Sequence, residues 1–449
     1  MRGPALTLAV LATVASTGAC RRPPATAGAF TTPVPARPAG CREVSEDAAV
    51  QRALADATVT AVCLAPGRYR GPFSLRRAVT LWGPRAAVVS APTGTFIGLD
   101  APGATLLGLT LDGTGGQFDR VDAAVRLTAS DTRVEGVAID NAVFGISAQQ
   151  VARVAIIGNR VQGSRDPESG LRGDTIRLWE VTDSRVQGND LADGRDFVAW
   201  YSRRNQFIGN RMLRARYGLH FMYSHDNLVA DNEMRAGVVG VFIMYSRGVR
   251  LEGNTIADAA GAAGMAIGLK DAGNIEVVDN RLVHNAIGVY IDSTPLQITD
   301  QLEVARNVFR ENDHAIVFHA SGHRLHIRDN DLADNQHQVR VDGGGNALDV
   351  DWRGNYFDDY AGYDLDDDGT GDVPYQLRSL SSELTARYPN AELLRGTPAL
   401  ALVDAAAHLD PLHQPRALLA DPAPAMAPRW PLVRTSPGPR LARAPEETR

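Results

Sequence analysis

An asparagine that returns at nearly regular intervals constrains the fold of this chain more than any other feature. The spacings between successive members are 30, 21, 22, 22, 26, 27, 23 and 25 residues. Two residues after each asparagine stands an apolar residue, such as Leu191 or Ile256. A period of roughly 20–30 residues predicts a solenoid whose turns each carry a short strand with one inward side chain in register. The recurring residues are Asn159, Asn189, Asn210, Asn232, Asn254, Asn280, Asn307, Asn330 and Asn355.

The residues within each repeat favour a parallel β-helix over a leucine-rich repeat. They are rich in Val, Ile, Gly and Asn with period-two alternation, and no ten-residue helical stretch fits inside a turn. The sequence therefore predicts an all-β parallel β-helix solenoid, with roughly twelve coils of about 24 residues each. Coils stacked about 4.8 Å apart would let each Asn amide bond the one above and the one below.

The first forty residues predict an exported protein. An apolar run follows Arg2 and is too short to span a membrane, which is typical of an export signal over residues 1–20. The last four residues of that segment are similar to a bacterial lipobox, which predicts a lipidated Cys20 and a lipid-anchored periplasmic protein. Thr17 stands where that pattern usually has Leu, so ordinary signal cleavage stays open. The Pro- and Ala-rich residues 21–40 predict a flexible tether.

Two further cysteines open the folded region, which is predicted to span residues 41–375. Cys63 lies in a segment that reads as the first strand of the solenoid, and the helical spacing of residues 44–57 predicts a cap on its N-terminal end. In an oxidising compartment Cys41 and Cys63 should form a disulfide. A metal site is the weaker alternative, because it lacks further Cys or a nearby His.

Beyond Tyr375 the repeat pattern ends. Thr397 followed by Pro398 predicts the start of a helix within a C-terminal helical segment at residues 376–420. The Pro- and Arg-rich residues 421–449 predict a disordered tail. The helical face expected to pack on the solenoid carries Leu402, Ala406 and Leu409.

An acidic loop closes the predicted solenoid. Its carboxylates occupy loop positions 1, 3, 5 and 9, and Gly369 at position 6 suits the sharp turn of a calcium loop. Tyr375 stands at position 12, where an EF-hand has a bidentate Glu, so the pattern predicts a partial calcium site. A solvated acidic turn is the alternative. The four candidate ligands are Asp364, Asp366, Asp368 and Asp372.

Alternation along one strand of the repeat predicts an outward strip of large side chains. The residues 11 and 13 positions before each asparagine are apolar and should face the core, so those 10 and 12 positions before it should face outward. A contiguous apolar patch indicates a contact surface. The row at ten positions is Trp179, Trp200, Met222, Met244 and Lys270, the row at twelve is Arg177, Val198, His220, Phe242 and Gly268, and beside them lie Glu180, Tyr201, Tyr223, Tyr245 and Asp271.

Three interpretations of this strip stay open. In the first, a loop or the C-terminal segment covers it. In the second, a soft metal binds, because Met222 and Met244 would lie one coil apart with His220 beside them, and thioether with imidazole suits Cu(I). In the third, a partner protein docks on Trp179, Trp200, Tyr201, Tyr223, Tyr245 and Lys270.

Catalysis is the alternative function. Parallel β-helices also host polysaccharide lyases, hydrolases and epimerases, which need exposed carboxylates and often a basic residue. The strip is apolar where a cleft for acidic sugars would be charged, so the sequence favours a protein that is not an enzyme. The net charge of -6 gives no basic surface for nucleic acid. The candidate catalytic groups are Asp174, Arg177, Asp196, Lys270, Asp271 and Asp292.

Segments on consecutive coils closely resemble the NosD family, the periplasmic maturation proteins of nitrous oxide reductase. The resemblance covers roughly residues 41–420. It implies a right-handed β-helix that works with ABC transporter subunits and a copper chaperone to assemble the copper-sulfur centre of the reductase. It does not imply catalysis, and the lipoprotein-like start departs from the family pattern. The segments are Gly173–Trp179, Gly194–Ser202, Arg216–Ser224, Val241–Ser246 and Gly268–Asp271, with Gly354–Asp364 and Asp372–Tyr375 similar to the family's closing motif.

Overall fold

Each repeat forms one coil with three short strands, and neighbouring coils pair in parallel to build three long sheets. The computed structural model describes residues 34–431 except 92–93, 114–116, 165, 167, 320–323, 343–344, 395–396 and 410–414. Within this part the sheets contain 14, 13 and 12 strands. The predicted all-β solenoid is therefore confirmed, with about 13 turns rather than roughly twelve.

The three sheets, named A, B and C here, follow one another in this order along the chain, except at the two ends of the solenoid. Sheet A contains Arg42–Val44, Ala61–Leu64, Thr80–Trp82, Thr105–Leu107, Arg133–Glu135, Ala155–Ile157, Arg185–Gln187, Gln206–Ile208, Leu228–Ala230, Arg250–Glu252, Ile275–Val278, Leu302–Ala305, Leu325–Arg328 and Asp351–Arg353. Sheet B contains Gly67–Arg70, Ala87–Ser90, Thr110–Asp112, Ala138–Ala142, Arg160–Gly163, Asp190–Ala192, Arg211–Leu213, Glu233–Arg235, Thr255–Ala257, Arg281–Val283, Val308–Arg310, Asp331–Ala333 and Tyr356–Phe357. Sheet C contains Phe73–Leu75, Ile97–Leu99, Ala123–Leu127, Phe144–Gln149, Ile176–Trp179, Asp196–Trp200, Tyr217–Met222, Val239–Met244, Met265–Lys270, Ile287–Asp292, His314–His319 and His337–Val341.

The core is a column of stacked apolar side chains enclosed by the three sheets. The inward rows predicted on sheet C are buried, as at Ile176, Leu219 and Ile267, all 0% exposed. Near the start of two sheet C strands, neighbouring coils approach so closely that only glycine fits. A Cβ on Gly218 or Gly240 would lie 2.6 or 2.5 Å from a backbone carbonyl oxygen of the next coil.

The recurring asparagines form the predicted ladder at the corner between sheets A and B. In Asn189, the backbone N–H and the side-chain Nδ2 both donate to Oδ1 of Asn210, at 3.0 and 2.8 Å. Nδ2 also donates to the carbonyl of Ile156 in the preceding coil, at 3.0 Å. The same pattern runs along the whole series, so the buried corner is held by side-chain amides and the strands keep one register.

The N-terminal end is covered by a helix and fastened by two contacts. Helix α1, Asp47–Ala55, buries Val50 and Leu54 over the first coils. The sulfurs of Cys41 and Cys63 are joined in a disulfide. The predicted export signal, Cys20 and residues 21–33 of the predicted tether lie outside the described residues. Pro35, placed in that tether by the sequence, instead contacts the solenoid, since its carbonyl accepts a hydrogen bond from the Trp82 indole at 2.8 Å.

Two helices and a two-stranded antiparallel sheet follow the last coil. Helix α2 spans Leu380–Arg387, a 3₁₀ turn spans Pro389–Leu394, and helix α3 spans Pro398–Leu409. The expected packing of α3 on the solenoid is wrong at Leu402 and Leu409, which are 69% and 85% exposed. Helix α3 instead contacts α2, where the Asp404 carboxylate accepts hydrogen bonds from the N–H and hydroxyl of Ser381.

The prediction of a disordered tail from residue 421 is wrong for its first part. Strand Ala417–Asp421 pairs antiparallel with Tyr375–Arg378, and Asp421 is fully buried. Its carboxylate accepts hydrogen bonds from the backbone N–H and Nδ2 of Asn355, at 3.1 and 2.8 Å, so it occupies the next place in the asparagine ladder. The following residues run back along sheet B, where the backbone N–H groups of Arg429 and Trp430 donate to Asp331. Residues 432–449 lie outside the described part.

None of the helices formed by the described residues has the length and apolar character that crossing a membrane would require.

Candidate functional site

The candidate site is the outward face of sheet C in the middle of the solenoid. The strand register places Trp179 beside Trp200, Trp200 beside Met222, and Met222 beside Met244. Lys270 continues the row on the next coil. The row at twelve positions is aligned in the same way, so the side chains of five coils form two parallel columns. We call these columns and the adjacent tyrosines the sheet C strip.

His220 lies at the centre of the sheet C strip in an aromatic pocket. Its imidazole stacks on the Tyr217 ring, with the ring centroids 4.7 Å apart. The Trp200 ring packs edge-on against it, with the ring centroids 5.7 Å apart. The Phe242 ring lies 6.1 Å away on the next coil. The alternation of side chains along the strand predicts an exposed His220. The residue is only 8% exposed, because these rings enclose it.

Both ring nitrogens of His220 are buried, and neither has a hydrogen-bond partner among the described residues. Burial lowers the pKa of His220 to about 4, the largest effect on this group, so the ring is neutral at neutral pH. A buried polar atom without a partner costs roughly 1–3 kcal/mol, and such atoms are rare in native proteins. A neutral imidazole in this state keeps a lone pair for a ligand.

Arg177 caps the tryptophan end of the strip. Its guanidinium lies 5.3 Å from the Trp179 ring and 5.1 Å from the Trp200 ring, a cation–π arrangement with both. Arg177 also donates to the buried Asp174 carboxylate at 3.2 Å. Because Asp174 anchors Arg177, the guanidinium fixes the positions of both tryptophan rings at this end of the strip.

Three tyrosines form a stacked column at the edge of the strip. The rings of Tyr201 and Tyr223 are 5.4 Å apart and nearly parallel at 9°, and those of Tyr223 and Tyr245 are 4.9 Å apart at 13°. All three residues have positive φ near 50°, which turns their side chains out of the strand. Tyr201 and Tyr223 are 41% and 43% exposed, so no described segment covers them.

The carboxylates that sequence reasoning considered for catalysis are held in ion pairs. Asp174 accepts from Arg195 at 3.0 Å, and Asp196 pairs with Arg216 at 2.5 Å. Burial raises the pKa of Asp174, against the opposing effect of the nearby arginines. At the other end of the strip, the Lys270 ammonium group donates a hydrogen bond to the Asp292 carboxylate at 2.6 Å, and this bond raises the pKa of Lys270. The Asp271 carboxylate lies 3.7 Å from the same ammonium group.

The acidic loop brings together three of the four predicted calcium ligands. Carboxylate oxygens of Asp364, Asp366 and Asp368 lie within 4.8 Å of one another. The backbone N–H of Gly369 donates to Asp364 and lowers its pKa, whereas the adjacent carboxylate of Asp368 raises the pKa of Asp366. Asp372 does not join them, because its carboxylate accepts the backbone N–H of Leu365 at 2.7 Å.

Sequence reasoning missed Tyr217, the residue that stacks on His220. Strict alternation does not assign Tyr217 to the outward face, but the strand register shifts between the pairs Asp196–Tyr217 and Val198–His220. One extra residue at this irregularity turns the tyrosine onto the face of the imidazole. The signal was available as the lengthening of the asparagine spacing from 21 to 22 residues at this coil.

These features define a class: a parallel β-helix with a soft-donor, aromatic surface rather than a charged sugar cleft. The chain belongs to the NosD family. The family model described as periplasmic copper-binding protein (NosD) matches residues 155–362. A protein of Pseudomonas aeruginosa named probable ABC transporter binding protein NosD is 30% identical over 389 residues, which is 76% of this chain and 82% of that relative. A protein of the same name from Stutzerimonas stutzeri is 27% identical over 377 residues, 75% of this chain and 80% of the relative.

Solved structures show the same solenoid at low identity. The catalytic domain of a GH87 alpha-1,3-glucanase bound to nigerose superposes with a TM-score of 0.54 at 14% identity, covering 70% of this chain and 68% of that one. The catalytic unit of a GH87 alpha-1,3-glucanase from Streptomyces thermodiastaticus gives 0.53 at 16% identity, covering 74% and 72%. At such identity the likeness establishes the fold alone.

Proposed function

We propose that this protein is a periplasmic accessory factor for assembly of the copper-sulfur centre of nitrous oxide reductase. In this proposal it acts with ABC transporter subunits and a copper chaperone, and it is not itself a catalyst. The names of its relatives support an association with an ABC transporter, and the family description supports copper binding. The reductase, the chaperone and a possible lipid anchor at Cys20 are parts of the proposal that rest on the family resemblance.

The observation that carries the proposal is the bare imidazole of His220 next to a pair of thioethers. His220 and Met222 stand two residues apart on one strand, and Met244 is the direct partner of Met222 on the next coil. Imidazole and thioether donors together suit Cu(I). Since the metal would be cargo, a site with few protein ligands is consistent with loading and release.

Partner proteins would dock on the exposed edge of the same strip. The tyrosine column and the two tryptophans offer rigid aromatic surface, the residue types that dominate binding energy at interfaces. Trp179, Trp200 and Lys270 would frame the contact, with Tyr201 and Tyr223 as its exposed part and the half-buried Tyr245 beside them. This arrangement would place a docked chaperone or transporter directly beside the proposed copper ligands.

Copper binding is tested by titrating Cu(I) against a competing Cu(I)-specific chelator. The triple variant His220→Ala, Met222→Ala, Met244→Ala should lose the tightest binding event, and its circular dichroism spectrum should show that the β-helix is still folded. The matched control is Met426→Ala, because Met426 is 36% exposed and belongs to a different part of the molecule. Undiminished Cu(I) binding in the triple variant would eliminate the copper site.

Docking is tested by the Trp200→Ser, Met244→Ser variant, in which neither replaced side chain fills the core. Cells that make this variant should produce reductase that lacks its copper-sulfur centre, as seen in the absorption spectrum of the purified reductase. Lost maturation with unchanged Cu(I) affinity favours a docking face, and lost Cu(I) affinity favours the metal site. Full maturation in this variant and in the triple variant would show that the strip is structural only.

A further inference from the structure

A pair of histidines lies on the same sheet, well away from the sheet C strip. His314 begins its strand and His337 begins the next one, and the register places the two residues directly side by side. The strand that contains His314 lies four strands away from the strand of His220 in sheet C, and Val317 on it is in register with His220. At about 4.8 Å per step, the pair is roughly 19 Å from the proposed copper pocket along the solenoid.

We propose that His314 and His337 form a second metal site, which takes a borderline divalent ion of the Cu(II) type. The two ring centroids are 4.9 Å apart with an interplanar angle of 89°. Two imidazoles that each bind one ion at about 2.0–2.1 Å, with nitrogen–metal–nitrogen angles between about 90° and 110°, have centroids roughly 4.5–5.2 Å apart. The observed separation falls within this range.

The surroundings of the pair suit a metal ligand better than a charged imidazole. His314 Nδ1 is buried and has no hydrogen-bond partner among the described residues. The guanidinium of Arg340, which faces His314, is paired with Asp342 at 3.1 Å, and this ion pair reduces the repulsion that a bound cation would meet. His337 is exposed, so an ion bound between the two rings would be accessible to water.

The donor chemistry separates this site from the strip. Two imidazoles without a thioether select borderline ions, and Cu(II) heads the series of divalent first-row ions for nitrogen donors. The strip, with its methionines, selects the reduced ion. The histidine pair does not depend on the proposed function, because it would bind Cu(II) in the isolated protein whether or not the chain serves reductase maturation.

The test is a Cu(II) titration of the tag-free full chain in glycine-buffered medium, followed by electron paramagnetic resonance. We expect one Cu(II) with nitrogen ligands, and an affinity at least ten-fold weaker in His314→Ala and in His337→Ala. The matched control is His319→Ala, which removes an exposed histidine at the opposite end of the same strand.

Two results would overturn the proposal. The first is equal Cu(II) affinity in the His314→Ala, His337→Ala double variant and the parent chain. The second is loss of the Cu(II) signal in His319→Ala while both single variants of the pair retain it. His314→Gln and His337→Gln keep the size and polarity of the side chains, so their circular dichroism melting curves separate loss of ligands from loss of fold.

Discussion

Replacing Asp421 by Ala should open the C-terminal end of the solenoid. The carboxylate oxygen Oδ2 accepts two hydrogen bonds from Asn355, which is 0% exposed, and Oδ1 accepts the Ala423 N–H at 3.0 Å. The variant leaves the backbone N–H and one of the two Nδ2 hydrogens of Asn355 buried without an acceptor, while the other Nδ2 hydrogen keeps its bond to the Ile327 carbonyl. At about 1–3 kcal/mol for each such group, the last coil should lose about 2–6 kcal/mol of local stability.

Hydrogen exchange resolved by mass spectrometry measures this loss coil by coil. Opening that is easier by 2 kcal/mol or more raises exchange about thirty-fold or more in peptides around Asn355, because each 1.4 kcal/mol is roughly tenfold. Peptides around Asn189 should exchange as in the parent, since each coil contacts mainly its neighbours. Asp421→Asn keeps one acceptor oxygen and should cost less than half as much. Unchanged exchange at Asn355 in Asp421→Ala would refute the reasoning.

Three further predictions concern the ends of the chain and the central pocket. The Cys41–Cys63 disulfide closes a loop of 22 residues, so Cys41→Ser, Cys63→Ser should lower stability by about 3 kcal/mol; two free thiols in mass spectra of periplasmic protein would contradict the disulfide. Calcium should bind the acidic loop in calorimetry and fail to bind Asp366→Ala, Asp368→Ala, and absence of heat with the parent chain would rule the site out. The pKa of His220 is lowered from 6.5 to about 4. Between these two pH values the folded state therefore binds fewer protons than the unfolded state. The free energy of unfolding is not reduced by this group above about pH 6.5, and it decreases as the pH falls towards 4. Urea unfolding of copper-free protein measures the free energy of unfolding at pH 7 and at pH 5. Between these pH values, this free energy should fall by about 2 kcal/mol less in His220→Phe than in the parent. Equal decreases in the two proteins would contradict the pKa shift.

The inward and outward rows of sheet C could be predicted by counting back from each asparagine. This worked because the path from the end of the sheet C strand to the ladder has the same length in these coils, so Trp179, Trp200 and Met222 fall in one register. Exposure could not be predicted in the same way. Val198 has outward parity and is 0% exposed, because Arg177 and His220 stand on the coils directly above and below it.

The closure of the C-terminal end was beyond the reach of repeat analysis. Asp421 joins the ladder 66 residues after Asn355, through a segment with no period of its own. Its composition resembles a disordered tail because Pro and Arg are frequent there, yet Arg429 and Trp430 are held by specific contacts to Asp331. Likewise, the apolar residues of α3 gave no means of choosing between α2 and the solenoid as its packing partner.

The lengths of the coils determine where this molecule can present a smooth face. The coil between Asn159 and Asn189 is 30 residues long and carries an extra 3₁₀ turn at Ser169–Leu171, whereas the next three are 21, 22 and 22 residues long. Coils this short have few residues to spare for loops, and among the described residues Tyr201 and Tyr223 on them are exposed. A change of length in these coils keeps the columns aligned when a local irregularity absorbs it, as happens where the pairing shifts between Asp196–Tyr217 and Val198–His220. The one residue by which the second short coil exceeds the first is the one that sets Tyr217 over His220.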